Sequence, residues 1–281
     1  MPNLMWTWQE AAVIAGALAV GWGVLRRRQA LRRTQPFLRE ASLIIGLYAL
    51  WQFAGSLSGN GTYAAVGRGQ WIWNTERSTH LLSEHTVQGW ILPHPLIVQA
   101  ANLYYDTMHF TMMIVFLFWL FIWHRDAYPR WRTTLAILTA SCLLIQLIPV
   151  APPRMLPNLD MVDTAMKYGQ SVYGTVGGFR ADQLSAMPSV HVGWALLVAA
   201  CVYSVGTSRW RYIGIAHAVM TVLVVVATGN HYWGDGIVAA ALLIAALFAQ
   251  RGIRKLRQKR VTARKDLTKQ DVGRGGLVDV R

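Results

Sequence analysis

Two histidines and one aspartate are the residues of this chain best suited to chemistry. His231 and Asp235 are four positions apart, so on a helix they would share a face, one turn from each other. A carboxylate there can accept a hydrogen bond from one imidazole nitrogen and leave the other nitrogen free as a nucleophile. The alternative is that Asp235 only caps a helix start, and the histidine one turn before it argues against that. We therefore predict a nucleophile pair.

The second histidine follows a proline and a serine, in Pro188-Ser189-Val190-His191. Proline suits the first turn of a helix, where its missing N–H is not needed. The free N–H groups of that turn, with the Ser189 hydroxyl, predict an anion site. His191 could then act as a general acid on the oxygen of a leaving group.

Phosphate needs cationic partners, and one loop carries three candidates. Arg154 follows two prolines, and a fixed guanidinium is a natural partner of phosphate. Arg180 and Lys167 lie in the same loop, although each could equally be an ordinary exposed charge. Tyr105, His109 and Lys167 are candidates for lining the substrate cavity, and His109 could equally form an interhelical hydrogen bond.

The composition places these residues in a membrane protein. Of 281 residues, 54% are hydrophobic and 14% are charged, whereas soluble domains carry about 25% charged residues. Thirteen Trp and ten Tyr fit the aromatic belts of a bilayer. The net charge of +14 does not indicate nucleic-acid binding, because the basic residues form short runs beside apolar segments.

Seven apolar segments approach the roughly 20 residues that a spanning helix needs. They predict an all-α polytopic membrane bundle of about seven helices, a six-helix core plus one N-terminal span. The segments are Glu10–Leu25, Leu38–Ser58, Ala101–Trp123, Trp131–Val150, Pro188–Val205, Arg211–Thr228 and His231–Gln250.

Charge placement predicts the orientation. Basic clusters at 26–39, 125–132, 209–211 and 251–265 occupy alternate loops, which by the positive-inside rule are cytoplasmic. We expect a multi-pass cell-membrane protein with its N-terminus outside and its C-terminus in the cytoplasm. The segments with Arg154, His191 and His231 then all fall at outer ends of spans.

Three regions follow from this topology. Residues 1–100 hold the first spans and an outer segment, Gly59–Ala100, that is predicted to contain an interfacial amphipathic helix. Residues 101–250 form the predicted catalytic membrane core. Residues 251–281 are basic and then Gly-rich, which predicts a disordered cytoplasmic tail. The compact loops and arginine-rich character look bacterial.

The polar segments resemble the motifs of the type 2 phosphatidic acid phosphatase superfamily. That family carries Lys-x6-Arg-Pro, then Pro-Ser-Gly-His, then Ser-Arg-x5-His-x3-Asp, and the resemblance covers roughly 131–250. The chain departs from it at Val190, at Leu147 in place of the Lys, and at Val225 in place of the third motif's Arg. These departures resemble the inositol phosphorylceramide synthase branch.

The resemblance implies an activity and residue roles. His231 would attack phosphorus to form a phosphohistidine, Asp235 would orient it, and His191 would protonate the leaving group. Arg154, Ser189 and Arg180 would bind phosphate. The substrate would be a lipid phosphate in the bilayer, and water or an alcohol such as inositol would be the acceptor. No metal ion or other cofactor is implied, and no nucleic-acid partner.

Two other functions remain open from the sequence. A seven-span zinc-dependent lipid hydrolase could use His191, His231 and Asp235 as its three protein ligands. A lipid transporter could use the same polar residues as a substrate path, although the two related halves typical of such proteins are not visible in the sequence.

Overall fold

The described part of the chain is built of α-helices joined by turns and loops. The computed structural model describes residues 7–26, 28, 34–57, 62–170 and 183–275, and of residues 51, 52, 54–57, 260, 261 and 263–275 it describes the backbone alone. The helices in this part of the chain are α1 (Trp8–Leu25), α2 (Gln35–Leu57), α3 (Thr62–Ser78), α4 (Glu84–Ile91), α5 (Pro95–Trp123), α6 (Tyr128–Gln146), α7 (Thr164–Lys167), α8 (Val190–Val205), α9 (Tyr212–Ala227) and α10 (Trp233–Gly275).

Each of the seven predicted apolar segments coincides with a helix, namely α1, α2, α5, α6, α8, α9 and α10. In the part of the chain that the structure describes, four helical segments are long and apolar enough to cross a membrane, and α8 is a shorter apolar helix. The four are Trp8–Leu25, Pro95–Trp123, Arg209–Ala227 and Trp233–Lys259. The predicted membrane-embedded helical bundle is thus confirmed, and the number of seven spans stays a prediction.

Helices α2 and α6 carry charges near one end, and these charges pair with each other. Glu40 of α2 is 5% exposed. It accepts hydrogen bonds from Arg39, from Arg132 of α6 and from the Tyr128 hydroxyl. Because a buried charge is costly unless it is paired, this cluster fixes how α2 meets α6.

Helix α1 forms despite its three glycines. Thr7 caps its first turn, and the Glu10 carboxylate bonds back to the Thr7 backbone N–H, which satisfies two donors reciprocally. The Ser42 hydroxyl of α2 donates to the Ala15 carbonyl at 2.9 Å. The first two helices therefore pack as a pair along their length.

Helix α8 lies at the centre and packs against α5, α6, α9 and α10. The main apolar core surrounds it and includes Leu120, Trp131, Leu138 and Leu197. The two cysteines, Cys142 and Cys201, are buried in this core as free thiols, which agrees with their placement in apolar runs. Helix α8, whose first turn carries His191, is thus held by packing against four other helices.

The outer segment contains two helices, α3 and α4, where the sequence predicted one amphipathic helix. Helix α3 is tied to the segment that follows α6. The Arg68 guanidinium donates to the Pro149 carbonyl at 2.6 Å, and the Ala151 N–H donates to the Ala65 carbonyl at 3.1 Å. A second apolar cluster, which includes Ile72, covers this junction.

Helix α10 is longer than its apolar part. We expected an irregular tail from Arg251, but the helix continues through that position to Gly275. Arg and Lys, the commonest residues of this stretch, are good helix formers, so the helix has no reason to end where the apolar residues end.

Candidate active site

The polar segments at the starts of α8 and α10 meet in the folded chain. The Ser189 N–H donates to the Asp235 carbonyl at 3.3 Å. The turn between α9 and α10 reverses at Gly229, whose φ of +68° is a conformation that favours glycine. As a result, the ring centroids of His191 and His231 lie 5.5 Å apart.

The hydrogen bonds of His231 fix its tautomer. Its Nδ1 lies 2.7 Å from the Ala186 carbonyl oxygen and 3.1 Å from Asp235 Oδ2. A carbonyl oxygen only accepts, so Nδ1 must carry the proton. Nε2 is then unprotonated, and it is buried with no hydrogen-bond partner among the described residues. This nitrogen has the lone pair that a nucleophile needs.

Asp235 accepts hydrogen bonds from one side-chain donor and one backbone donor at once. Its Oδ2 accepts from the Tyr232 N–H at 2.8 Å as well as from His231. His231 itself lies two residues before α10 begins at Trp233, so the pair is not made across one turn of regular helix. Asp235 caps the start of α10, and the same oxygen that caps the helix also accepts from His231.

His191 lies in the first turn of α8. Ser189 is fully buried and caps that helix, since its Oγ accepts from the Val192 N–H at 3.3 Å. The Gln146 amide donates to the Pro188 carbonyl at 3.0 Å and holds the turn from the α6 side. The predicted role of Ser189 toward phosphate stays a prediction.

Two residues of α5 pack against His191. The Tyr105 ring stacks on it with centroids 4.4 Å apart, and the His109 ring lies at 4.2 Å. The His109 Nδ1 donates to the Tyr105 carbonyl at 3.0 Å, one turn back in α5, so this hydrogen bond lies within one helix and not between two. The structure therefore brings two of the three cavity candidates, Tyr105 and His109, beside the predicted general acid.

Arg154 contacts the turn that leads into His231. Its Nη1 donates to Asn230 Oδ1 at 2.5 Å, and its backbone N–H donates to the Gly229 carbonyl at 3.0 Å. Its Nε pairs with Asp163 at 3.1 Å, and the side chain is 4% exposed. Arg154 thus braces the loop that carries His231.

The other two cationic candidates are not part of this cluster. Lys167 is exposed on α7, with its ammonium over the Tyr168 ring. Arg180 lies outside the described residues. Among the residues that are described, no group of three or more His, Cys, Asp or Glu is arranged to hold a metal ion.

Sequence reasoning missed three contributors. The Ala186 carbonyl is a backbone group and has no residue signature. Glu76 and Glu84 accept hydrogen bonds from the first residues of α10. Their signal was two acidic residues in an aromatic and apolar outer segment, which we interpreted only as an interfacial helix.

A glycine in α3 provides a test of how tightly the outer helices hold the site. A Cβ at Gly69 would lie 2.7 Å from both the Ala151 carbonyl oxygen and the Tyr232 hydroxyl, which are bonded to each other at 2.8 Å. We expect Gly69→Ala to displace Tyr232, next to His231. Thermal unfolding in detergent should show a loss of about 1–3 kcal/mol, and turnover should fall about tenfold or more.

The matched control is Gly67→Ala, two residues earlier in α3, where a Cβ would meet nothing within 4 Å. This change should leave activity intact and raise helix stability by up to about 1 kcal/mol. Equal behaviour of the two variants would show that α3 does not constrain the site.

Comparison with known proteins gave one match. The model of a family described as the PAP2 superfamily matches residues 70–249, well over half of the chain. The match contains His191, His231 and Asp235, and it begins in α3, earlier than the region that carries the resemblance in the sequence. No curated protein and no solved structure matches the chain significantly.

Proposed function

Because this chain belongs to the PAP2 superfamily, we propose that it is a membrane-embedded lipid phosphatase or phosphotransferase that works through a phosphohistidine at His231. Membership supports a phosphatase-type activity on a phosphorylated lipid. The observation that carries the finer proposal is the state of His231: Nδ1 holds the proton between two acceptors, and Nε2 is buried and unpartnered.

In the first step, the Nε2 lone pair of His231 attacks phosphorus in line with the leaving group. The N–P bond forms, the P–O bond breaks, and the electron pair leaves on oxygen. A proton on His191 moves to that oxygen. The imidazole ring becomes cationic, because Nδ1 keeps its proton, and the Asp235 carboxylate stabilises that charge.

In the second step, neutral His191 takes a proton from the acceptor hydroxyl, which attacks phosphorus. The N–P bond breaks, and the electron pair returns to Nε2. If the acceptor is water, the protein is a phosphatase. If it is a lipid or sugar alcohol, the protein is a phosphotransferase.

Two features support an alcohol acceptor as the second candidate. Val190, Leu147 and Val225 depart from the superfamily motifs in the manner of inositol phosphorylceramide synthases. The site also has an aromatic wall, since Tyr105 and His109 pack on His191, where the leaving or accepting oxygen would be. An aromatic wall suits the exclusion of bulk water.

The proposed site faces the extracytoplasmic side. The starts of α8 and α10 are bonded to each other and lie at one level, while the basic loops and the C-terminal end of α10 belong to the opposite end of the bundle. By the positive-inside rule that basic end is cytoplasmic.

The experiment that tests the function uses purified protein in detergent with EDTA. A panel of lipid phosphates is supplied with and without inositol or diacylglycerol, and wild type is run beside His231→Ala. We expect turnover by the wild type alone, because the proposed chemistry rests on positioning and electrostatics from this chain's own residues.

The products separate the candidates. Free phosphate without an acceptor indicates a phosphatase, and label on the added alcohol with little free phosphate indicates a phosphotransferase. An absence of turnover with EDTA that zinc restores would instead support the metal-dependent hydrolase. Substrate movement across vesicles that survives His231→Ala would support a transporter.

A further inference from the structure

Two buried carboxyl groups from the outer helices lie against the start of α10. Glu76 belongs to the last turns of α3 and is 5% exposed, and Glu84 opens α4 and is fully buried. The mechanism described above uses neither group. Burying two carboxyls is costly unless they have partners, so their partners indicate what they do.

Those partners are the first backbone N–H groups of α10. The Gly234 N–H donates to Glu76 Oε1 at 2.6 Å, and the Trp233 N–H donates to Glu84 Oε1 at 3.3 Å. The preceding N–H, that of Tyr232, donates to Asp235. Three successive donors at the helix start are thus each satisfied by a different carboxyl group. The first N–H groups of a helix have no partner within it, so these contacts fix where α10 begins.

We infer that Glu76 and Glu84, the outer carboxyl clamp, are positioning residues that hold the first turn of α10 so that Asp235 stays bonded to His231. The clamp touches neither the proposed substrate nor the reacting atoms. The inference rests on the proposed function, because it assigns the clamp a role toward the nucleophile.

The geometry explains why the clamp would control the nucleophile. Asp235 reaches His231 only if the backbone at 232–235 keeps its place, since the same Oδ2 accepts from both Tyr232 and His231. The clamp bonds the two residues between these positions. The Trp233 indole adds a bond to the Leu82 carbonyl at 2.8 Å, in the turn that joins α3 to α4.

The clamp holds a proton. Among the described residues, the Oε2 atoms of Glu76 and Glu84 are buried without a hydrogen-bond partner, and a proton on one carboxyl gives both a partner. Arg77 Nη2 lies 3.6 Å from Glu84 Oε2 and 3.9 Å from Glu76 Oε2, and it is the one cation of the described residues that pairs with the two acids. Burial and the neighbouring Glu84 raise the pKa of Glu76 to about 9, and Asp235 adds to the effect. The raised pKa and the two unpartnered Oε2 atoms together indicate that the pair keeps one proton at pH 7.

The first arm of the test compares two substitutions of Glu76. Glu76→Ala removes the acceptor of the Gly234 N–H, and we expect kcat to fall about ten- to a hundredfold with KM nearly constant. Glu76→Gln keeps an acceptor and imitates the neutral acid, so it should recover most of that loss. Asn74→Ala, an exposed change on the same helix, is the matched control.

The second arm is the pH profile, which a purely structural role would not move. As pH rises through about 9, wild-type Glu76 ionises beside Glu84 and Asp235, and Arg77 is the cation within reach in the described part of the chain. Like charges then disrupt the clamp, so activity should decline on the alkaline side. In Glu76→Gln this decline should move to higher pH. If activity declines at the same alkaline pH in Glu76→Gln as in wild type, the two carboxyl groups do not share a proton.

The third arm does not depend on turnover. In protein labelled with ¹⁵N-histidine, His231 should show one protonated and one unprotonated ring nitrogen in wild type, Asn74→Ala and Glu76→Gln. In Glu76→Ala the protonated Nδ1 signal should shift or broaden. If Glu76→Ala is folded and keeps both the His231 signals and the kcat of wild type, the clamp has no positioning role.

The two proposals fail in different ways. If His231→Ala turns over substrate at the wild-type rate, the phosphohistidine proposal is wrong. The histidine spectra then test the role of the clamp by themselves. Turnover that depends on His231 but not on Glu76 contradicts only the clamp.

Discussion

His231→Ala should abolish the turnover of lipid phosphates, with a loss of about a thousandfold or more in kcat. The substitution removes an imidazole whose Nδ1 is held between two acceptors and whose Nε2 is buried, unprotonated and without a hydrogen-bond partner among the described residues. Without it no N–P bond can form, and water would have to attack directly. Initial rates with EDTA present measure the effect.

The covalent intermediate gives this prediction a second readout. With a labelled phosphoryl group, a rapid quench should trap label on the protein in a bond that is labile to acid and stable to base, as expected for phosphohistidine. The label should be absent from His231→Ala. A His231→Ala protein that turned over at the wild-type rate would refute the mechanism.

The matched control is another buried histidine. His217 of α9 is 9% exposed, and its Nδ1 bonds to the Tyr104 hydroxyl at 2.7 Å, which is the helix–helix contact expected for a lone polar residue in a span. We expect His217→Ala to keep turnover within about twofold while losing about 1 kcal/mol of stability. The contrast separates loss of the nucleophile from loss of any buried histidine.

The pairing of His231 with Asp235 could be predicted from the sequence because it is local. Four positions near a helix start bring the two side chains together, and an acid in an apolar segment needs a reason to be there. The prediction held although His231 precedes the helix, because Asp235 is both a cap and a partner. Local spacing was sufficient, and the regular helix was not required.

The contacts that hold this pair could not be predicted in the same way. Glu76 and Gly234 are 158 positions apart, and Glu84 and Trp233 are 149 apart. No period or motif in the sequence links residues at such separations, because only the packing of α3 and α4 on the bundle brings them together. The acidic residues were visible, but the helix start that they cap was not.

The residues predicted to bind phosphate show a different limit of sequence-based prediction. The sequence assigned Arg154 to phosphate, and the structure bonds it to Asp163, Asn230 and the Gly229 carbonyl. A guanidinium has five N–H donors, so a bracing role and a phosphate role are compatible. Residue type predicted phosphate as the partner of Arg154, and the fold adds the contacts to Asp163 and Asn230.

Asp235→Asn distinguishes two roles that the sequence treated as one. We predicted that the carboxylate fixes the histidine tautomer, but the Ala186 carbonyl lies closer to Nδ1, at 2.7 Å against 3.1 Å for Asp235. The carbonyl alone can keep the proton on Nδ1. The charge of Asp235 then has a separate task, which is to stabilise the cationic ring as phosphorus is transferred.

On this basis we expect Asp235→Asn to lower kcat by about a hundred- to ten-thousandfold, the range that a comparable change produces in enzymes with a carboxylate–histidine pair. KM and the fold should change little, because the amide oxygen can still accept from the Tyr232 N–H. Asp160→Asn, the same change at an exposed outer-loop residue, is the control. A loss of less than about tenfold in Asp235→Asn would mean that the Ala186 carbonyl suffices, and that the buried charge at this helix start serves the fold rather than the reaction.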